Sequence, residues 1–475
     1  MARAHLSLLS RDEAKRIHEA SLRVLEEVGV KILSPSVRNM LQEHGAEVDG
    51  EIVKIPSSMV EEALKTVSRS MVLAARDPKL DLKLPNEGDH PYAATNGVVG
   101  KMYDLDTGEA RETRLSDLRD FAVLCDYLDD IDFFWPILFP TDVPSQIQNV
   151  RGLATVFENF RKHVQWQALN AKEAKWIARM ASIIVGGEEK LKERSAVSII
   201  GCTISPLTFE AGMAEAFVEL AKAWIPVMPF PMPLEGMTGP ATIAGTLTIA
   251  NSENLATLVM VQCANPGAPM IYCAECAPIE PYTGKICYEA VETPLLATGV
   301  ADMARFYGLP CYSLAAGMDV RPRDWDDLLI RAAKMALTQL MHPDITAGLG
   351  TLDEAEYVAL EQLLLDVEAW RIAKAYLRSF EVSGETIGLE AIKQAGPGGS
   401  FLSLKHTLKH FEREVWIQYK PKILRYPFRG SITDEARKRV KEILGTHRPE
   451  PLEEEVKKEL EKCLEEAEKD LKKGD

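Results

Sequence analysis

Several absences narrow the field before any motif is weighed. The longest apolar runs, such as Leu255 to Ala264, reach roughly half of the ~20 residues that a membrane helix needs, so no spanning segment is expected. Basic residues are in deficit. Lys and Arg number 55 against 71 Asp and Glu, and the formal net charge of -16 argues against an extended nucleic-acid or anionic-membrane surface, which needs clustered cations. A cationic or neutral ligand fits better. Cysteine is sparse: Cys125, Cys202, Cys263, Cys273, Cys276, Cys287, Cys311 and Cys463 are scattered, mostly through apolar segments, with no signal-peptide pattern before them. Reduced core thiols in a cytoplasm are the expectation. No nucleophile elbow, Ser-His-Asp order or kinase signature is visible, which weighs against hydrolysis and phosphoryl transfer.

What remains is ordinary globular material, 475 residues with 46% hydrophobic and 27% charged content, enough for one large barrel and an appendage. Residues 1 to about 90 read as a small α/β cap. Ser10 to Glu13 is a capping box before an amphipathic helix that stops near Gly29, and Ser34-Pro35 opens a second helix ending at Gly45. From Pro91 the segment YAATNGVVGKMYDLDTGEARET alternates around Asp106-Thr107-Gly108 as a hairpin does.

Downstream, apolar strands alternate with helical segments. The strands are expected at 133–139, 164–169, 196–202, 226–230, 269–273, 310–315 and 345–348, apolar on both faces, which points to a parallel sheet. The fold class is therefore α/β, a (β/α)8 TIM-type barrel over residues 91–430. An open doubly wound sheet is the alternative, but its glycine fingerprint is missing. A helix is expected from Tyr357 to Phe380, and residues 431–475 form a helical extension. There Val456, Leu460, Cys463, Ala467 and Leu471 make one apolar stripe, which fits a helix docked on the body or on a second subunit.

Chemistry is expected where Glu235, Glu275 and Asp319 follow three successive strands, because loops at the C-terminal ends of barrel strands carry catalysis. Each acid alone is as well explained as a solvated loop residue. Aromatic residues lie near the same sequence positions: Trp135, Trp166, Phe230, Tyr272, Tyr282 and Trp325. Most aromatics are core, yet rings beside carboxylates also make a cage for a quaternary ammonium. Cys273-Ala-Glu-Cys276 has metal spacing but no second pair, and His406, His410 and Glu414 lie in a row on one helix face, so polar packing explains them better than a metal. Gly396-Pro397-Gly398-Gly399 lacks the lysine and hydroxyl of a phosphate loop and reads as a tight bend.

The segments LSRDEAKRIHEASLRVLEEVGVKI, GPATIAGTLTIANSENLATLVMVQCANPGAP, ADMARFYGLPCYSLAAGMD, EQLLLDVEAWR and GPGGSFLSLKHTLKHF resemble the trimethylamine methyltransferase family of corrinoid-dependent methyltransferases. The resemblance runs through most of the chain. It implies a barrel enzyme that moves a methyl group from a methylated amine to the cobalt of a corrinoid (cobalamin-type) cofactor carried by a partner protein, with no tightly bound metal of its own and a homo-oligomeric state. The founding members carry pyrrolysine in the loop after the strand corresponding to 310–315. Here that loop reads Asp319-Val320-Arg321-Pro322-Arg323-Asp324, standard residues only, the pyrrolysine position falling on about Arg321 or Pro322. Members without it look like quaternary-amine enzymes acting on glycine betaine or related betaines. On that resemblance Glu235, Glu275 and Asp319 orient the cation, Trp166, Phe230 and Tyr272 cover its methyls, and Arg321 or Arg323 clamps a carboxylate. A methoxy or methylthio donor and a non-catalytic barrel subunit are the other readings.

Overall fold

The computed structural model describes residues 4–288, 290–314, 325–353, 355–414 and 430–473. Seven short strands form one curled sheet: β1 (Tyr92–Thr95), β2 (Phe133–Phe134), β3 (His163–Gln167), β4 (Val197–Cys202), β5 (Val227–Phe230), β6 (Tyr312–Leu314) and β7 (Ile345–Leu349). Their order is β5-β4-β3-β2-β1-β7-β6, and every pairing is parallel. The segment 269–273 lies between the two edges. Ile271 N donates to Val227 O at 2.9 Å on one side, and Tyr272 N donates to Pro310 O at 2.8 Å on the other. Its ladder stops at Cys273, whose N–H and C=O both bond to the Asn254 side chain at 3.3 and 2.6 Å.

Two expectations change here. Tyr92–Thr95 belongs to the main sheet instead of forming a hairpin arm; the hairpin joins Lys101–Tyr103 to Ala110–Glu112, with Asp104 accepting from the Asp106 and Thr107 amides at its turn. The helix expected from Tyr357 starts later, because Tyr357–Val358 pairs with Lys101–Met102.

Helices cover the outside of the sheet. They include α1 (Arg11–Arg23), α2 (Gln148–Asn159), α3 (Ala171–Val185), α4 (Ala211–Lys222), α5 (Ile243–Ala264), α6 (Glu292–Tyr307), α7 (Trp325–Met341), α8 (Leu360–Tyr376) and α9 (Glu454–Leu471). Strand alternation divides the core in two. Phe133, Ile200, Met228, Phe230, Ile271, Cys273 and Tyr312 pack together on the concave side. Phe134, Val164, Val197, Ile199 and Val227 face the helices. At Gly201 α4 comes so close that an added Cβ would stand 2.4 Å from both Met213 Sδ and Phe217 Cε1. Gly201→Ala is therefore expected to cost about 1–3 kcal/mol through overpacking, read as a lower denaturant midpoint.

The capping box at Ser10 forms as expected, and Ser34 caps the helix Pro35–Glu43. The N-terminal residues share their core with α5 and α6: Ile17, Leu25, Val53 and Val60 pack in one cluster with Leu255, Val259 and Met303. A hairpin, Met71–Leu73 with Leu82–Leu84, sends Leu73, Leu82 and Leu84 into the concave cluster, and Leu73 bridges Ser195, just before β4. This plugs the N-terminal end of the sheet. At the other terminus, Leu460, Cys463 and Ala467 of α9 are buried, and Glu468, Asp470 and Glu466 pair with Arg151, Lys172 and Arg179 of α2 and α3. Among the described residues no helix is long and apolar enough to cross a membrane.

Candidate active site

With the N-terminal end of the sheet plugged, the C-terminal ends are left for chemistry. Two acid-bearing loops meet there. After β5 the chain turns at Leu234–Glu235, which pairs in parallel with Ala277–Pro278, and Glu275 N donates to Pro231 O at 3.0 Å. The loops carrying Glu235 and Glu275 are thus laced together. Glu275 is 3% exposed. One Glu235 carboxylate oxygen is buried with no hydrogen-bond partner among the described residues, and desolvation, then the Glu292 charge, hold its pKa above the usual range.

Beside Glu275, whose charge acts on the Tyr312 hydroxyl, three concave-face rings form a closed cluster. Trp135 and Phe230 have centroids 5.6 Å apart, Trp135 and Tyr312 5.2 Å, and Phe230 and Tyr312 5.7 Å. The rings touch, at spacings typical of favourable aromatic pairs. The Tyr312 hydroxyl is buried without a hydrogen-bond partner among the described residues. Burial, and after it the Glu275 charge, push it well above its ordinary pKa, so it stays a donor.

Strand alternation moves two of the expected rings away. Trp166 faces the helices, where its indole N–H donates to Asn149 O at 3.2 Å and Gly152 leaves room for the ring. Tyr272 also points outward, donating to Asn251 Oδ1 at 2.8 Å and packing on Tyr307. Of the expected substrate-facing rings only Phe230 joins the cluster, because only its position has the concave parity. Tyr282 is almost wholly exposed. Asp319, Arg321 and Arg323 lie outside the described residues.

The family model for trimethylamine methyltransferase (MTTB) matches residues 2–471. The chain belongs to the trimethylamine methyltransferase family. It is 30% identical over 469 residues to the trimethylamine methyltransferase MttB of Desulfitobacterium hafniense DCB-2, covering 98% of this chain and 94% of that protein. It is 27% identical over 417 residues to the glycine betaine methyltransferase of Desulfitobacterium hafniense Y51, covering 86% and 85%. The crystal structure of the Methanosarcina barkeri monomethylamine methyltransferase is similar in fold, with a TM-score of 0.54 and 13% identity over 98% of this chain and 88% of that one.

In this methyltransferase the family block around Asn251 to Asn254 is a set of polar pins on α5, all buried. Asn251 donates to Ser21 Oγ and Tyr307 Oη, both at 2.9 Å. Glu253 accepts from Thr203 Oγ1, from Ser205 Oγ at 3.0 Å and from Leu207 N at 2.9 Å, which fixes the loop after β4. Asn254 holds Cys273, two residues before Glu275. Glu253 and Asn254 therefore position the rim without standing on it. The Cys273 and Cys276 thiols are both buried, which raises their pKa values and keeps them protonated. They are poor nucleophiles. No group of metal-ligating side chains occurs among the described residues; His406 instead lies 3.1 Å from Glu385 O, and His410 3.5 Å from the Glu385 carboxylate.

Tyr312 was the residue missed by sequence reasoning. The signal lay in its parity: in YSL it is the residue opposite in phase to Cys311, and only the concave phase can pack on Phe230.

Proposed function

We propose that this chain moves a methyl group from a methylated, quaternary amine such as a betaine to the Co(I) of a corrinoid carried by a partner protein. The observation that carries it is the joining of a family match across the chain with buried Glu275 beside the Trp135, Phe230 and Tyr312 rings. A cation held by ring faces and a carboxylate suits this rim. The rings leave no gap between one another, so the ammonium would rest on the cluster's acid side.

The segment 269–273, bonded to both sheet edges, is read as the eighth strand of a closed barrel. That reading brings the Glu275 and Glu235 loops to one mouth. The chemistry asks little of side chains. When the N–CH3 bond breaks, the electron pair stays on nitrogen and a neutral tertiary amine leaves, so no general acid is needed. What remains is positioning. The corrinoid would supply the attacking electron pair. Burial keeps the Cys273 and Cys276 thiols protonated, which fits an acceptor arriving from outside. Met237, 63% exposed on the turn after Glu235, would face it. The Tyr312 hydroxyl, a buried donor with no hydrogen-bond partner among the described residues, suits an oxygen of the substrate, such as a betaine carboxylate.

Calorimetric titration with glycine betaine, proline betaine and carnitine tests the reading. Binding of at least one is expected, and it should weaken as pH falls into the raised titration range of Glu235, since protonation removes a charge that attracts the cation. Glu235→Gln should remove that part of the pH dependence. Silence across all three ligands would refute the proposal.

A further inference from the structure

One side chain of the sheet stands apart from the rest. Across β1 to β7 and the segment 269–273, Cys202 is the one exposed side chain among those described, the others being buried or half-buried. Its phase puts it on the concave side. Cys202 follows the concave Ile200 by two residues and lies level with Phe230 in the parallel ladder between β4 and β5. Its neighbours face the other way: a Cβ on Gly201 would meet Met213 and Phe217 of α4, and Thr203 donates to Glu253 on α5. The thiol therefore opens into the sheet's hollow at the end of β4, where the Glu253 bonds to Ser205 and Leu207 hold the following loop in place.

Solvent reaches Cys202, yet desolvation, and after it the Glu275 charge, holds the thiol at a pKa of about 11, as befits a side chain in the wall of a hollow and not on an open surface. The same Glu275 charge acts on the Tyr312 hydroxyl, which is buried with no hydrogen-bond partner among the described residues. Cys202 and Tyr312 thus share one carboxylate, and Phe230 adjoins both. A polarizable sulfur and a ring beside a carboxylate suit a cation whose outer surface is made of methyl groups. Being protonated, the thiol is no acceptor for the methyl it touches.

We propose that Cys202 Sγ forms the wall against which the N-methyl groups of the quaternary ammonium pack, and that the bulk of residue 202 decides which N-substituents enter. This rests on the quaternary-amine reading of the site, but its test does not need a known substrate. Methanethiosulfonates of opposite charge are applied to the full-length protein, and labelling is followed on the Cys202 peptide by mass spectrometry. Each reagent passes its thioalkyl group to the Cys202 sulfur, forming a mixed disulfide and releasing methanesulfinate, while the thiol proton goes to buffer. After correction for each reagent's rate with a small free thiol, the trimethylammonium reagent is expected to label Cys202 about 10-fold or more faster than the sulfonate reagent, because a hollow lined by carboxylates concentrates cations. Tetramethylammonium should protect Cys202 from both. Cys202→Leu, which fills the hollow from an exposed position and leaves the core intact, should weaken tetramethylammonium binding by about 10-fold or more, and Cys202→Ala should shift the preference toward tetraethylammonium by a similar factor. An unlabelled Cys202, labelling indifferent to reagent charge, tetramethylammonium that binds without protecting Cys202, or wild-type affinity in Cys202→Leu overturns the inference. Charge preference and protection at Cys202 with no binding of any betaine would uphold this wall and strike only the betaine reading.

Discussion

Glu275→Gln should raise the dissociation constant of a quaternary amine by ~10-fold to ~150-fold, the equivalent of the about 1.5–3 kcal/mol that a contact to a charged group contributes. The effect should fall on binding more than on turnover. A quaternary ammonium carries its full charge in the ground state and loses it as the N–CH3 bond breaks, so a neighbouring carboxylate stabilises the bound substrate more than the transition state. The variant is therefore expected to show a raised KM with kcat unchanged or higher, a pattern that separates a cation-holding acid from an acid–base catalyst, whose loss lowers kcat. Glutamine keeps the shape of the buried side chain, so a lost fold would not mimic this result. Equal binding by wild type and variant would remove Glu275 from the site. Steady-state methyl transfer and direct titration supply the two readings.

The second large effect concerns stability at the same rim. Arg331 of α7 and Asp366 of α8 form an ion pair of 3.1 Å, each side chain only 2% exposed. Asp366 also accepts from Gly350 N at 2.7 Å and Gln362 Nε2 at 2.8 Å, and Arg331 donates to Thr351 O at 2.6 Å. The pair thus fastens the turn after β7. Asp366→Ala takes the Asp366 charge away from a buried guanidinium and should cost about 3–5 kcal/mol, read as a fall in the denaturant midpoint. Replacing both partners, Arg331→Met with Asp366→Leu, should restore most of that loss, because burying two charges is itself costly. A single variant as stable as the wild type would contradict the argument.

Much of the architecture was legible because local rules and the global fold agree here. The capping box at Ser10, the Pro35 helix start and the apolar stripe of α9 are all set by short-range patterns, and all of them formed. Tyr92–Thr95 was harder to place, since a four-residue apolar run reads equally as hairpin arm or sheet strand. The candidate site was legible as a pair of neighbouring loops and not as a set of side chains. Glu235 and Glu275 do come from loops laced together, whereas Trp166 and Tyr272 turned out to face the helices.

By itself the sequence determined the family, the parallel α/β pattern and the acids that follow the strands, because these rest on residue order and on periods of two and 3.6. Only the tertiary structure decided which side of each strand looks into the sheet's concave face. A shift of one residue in phase reverses that side, and phase is fixed by packing between strands distant in the chain, which brought Trp135, Phe230 and Tyr312 into one cluster beside Glu275.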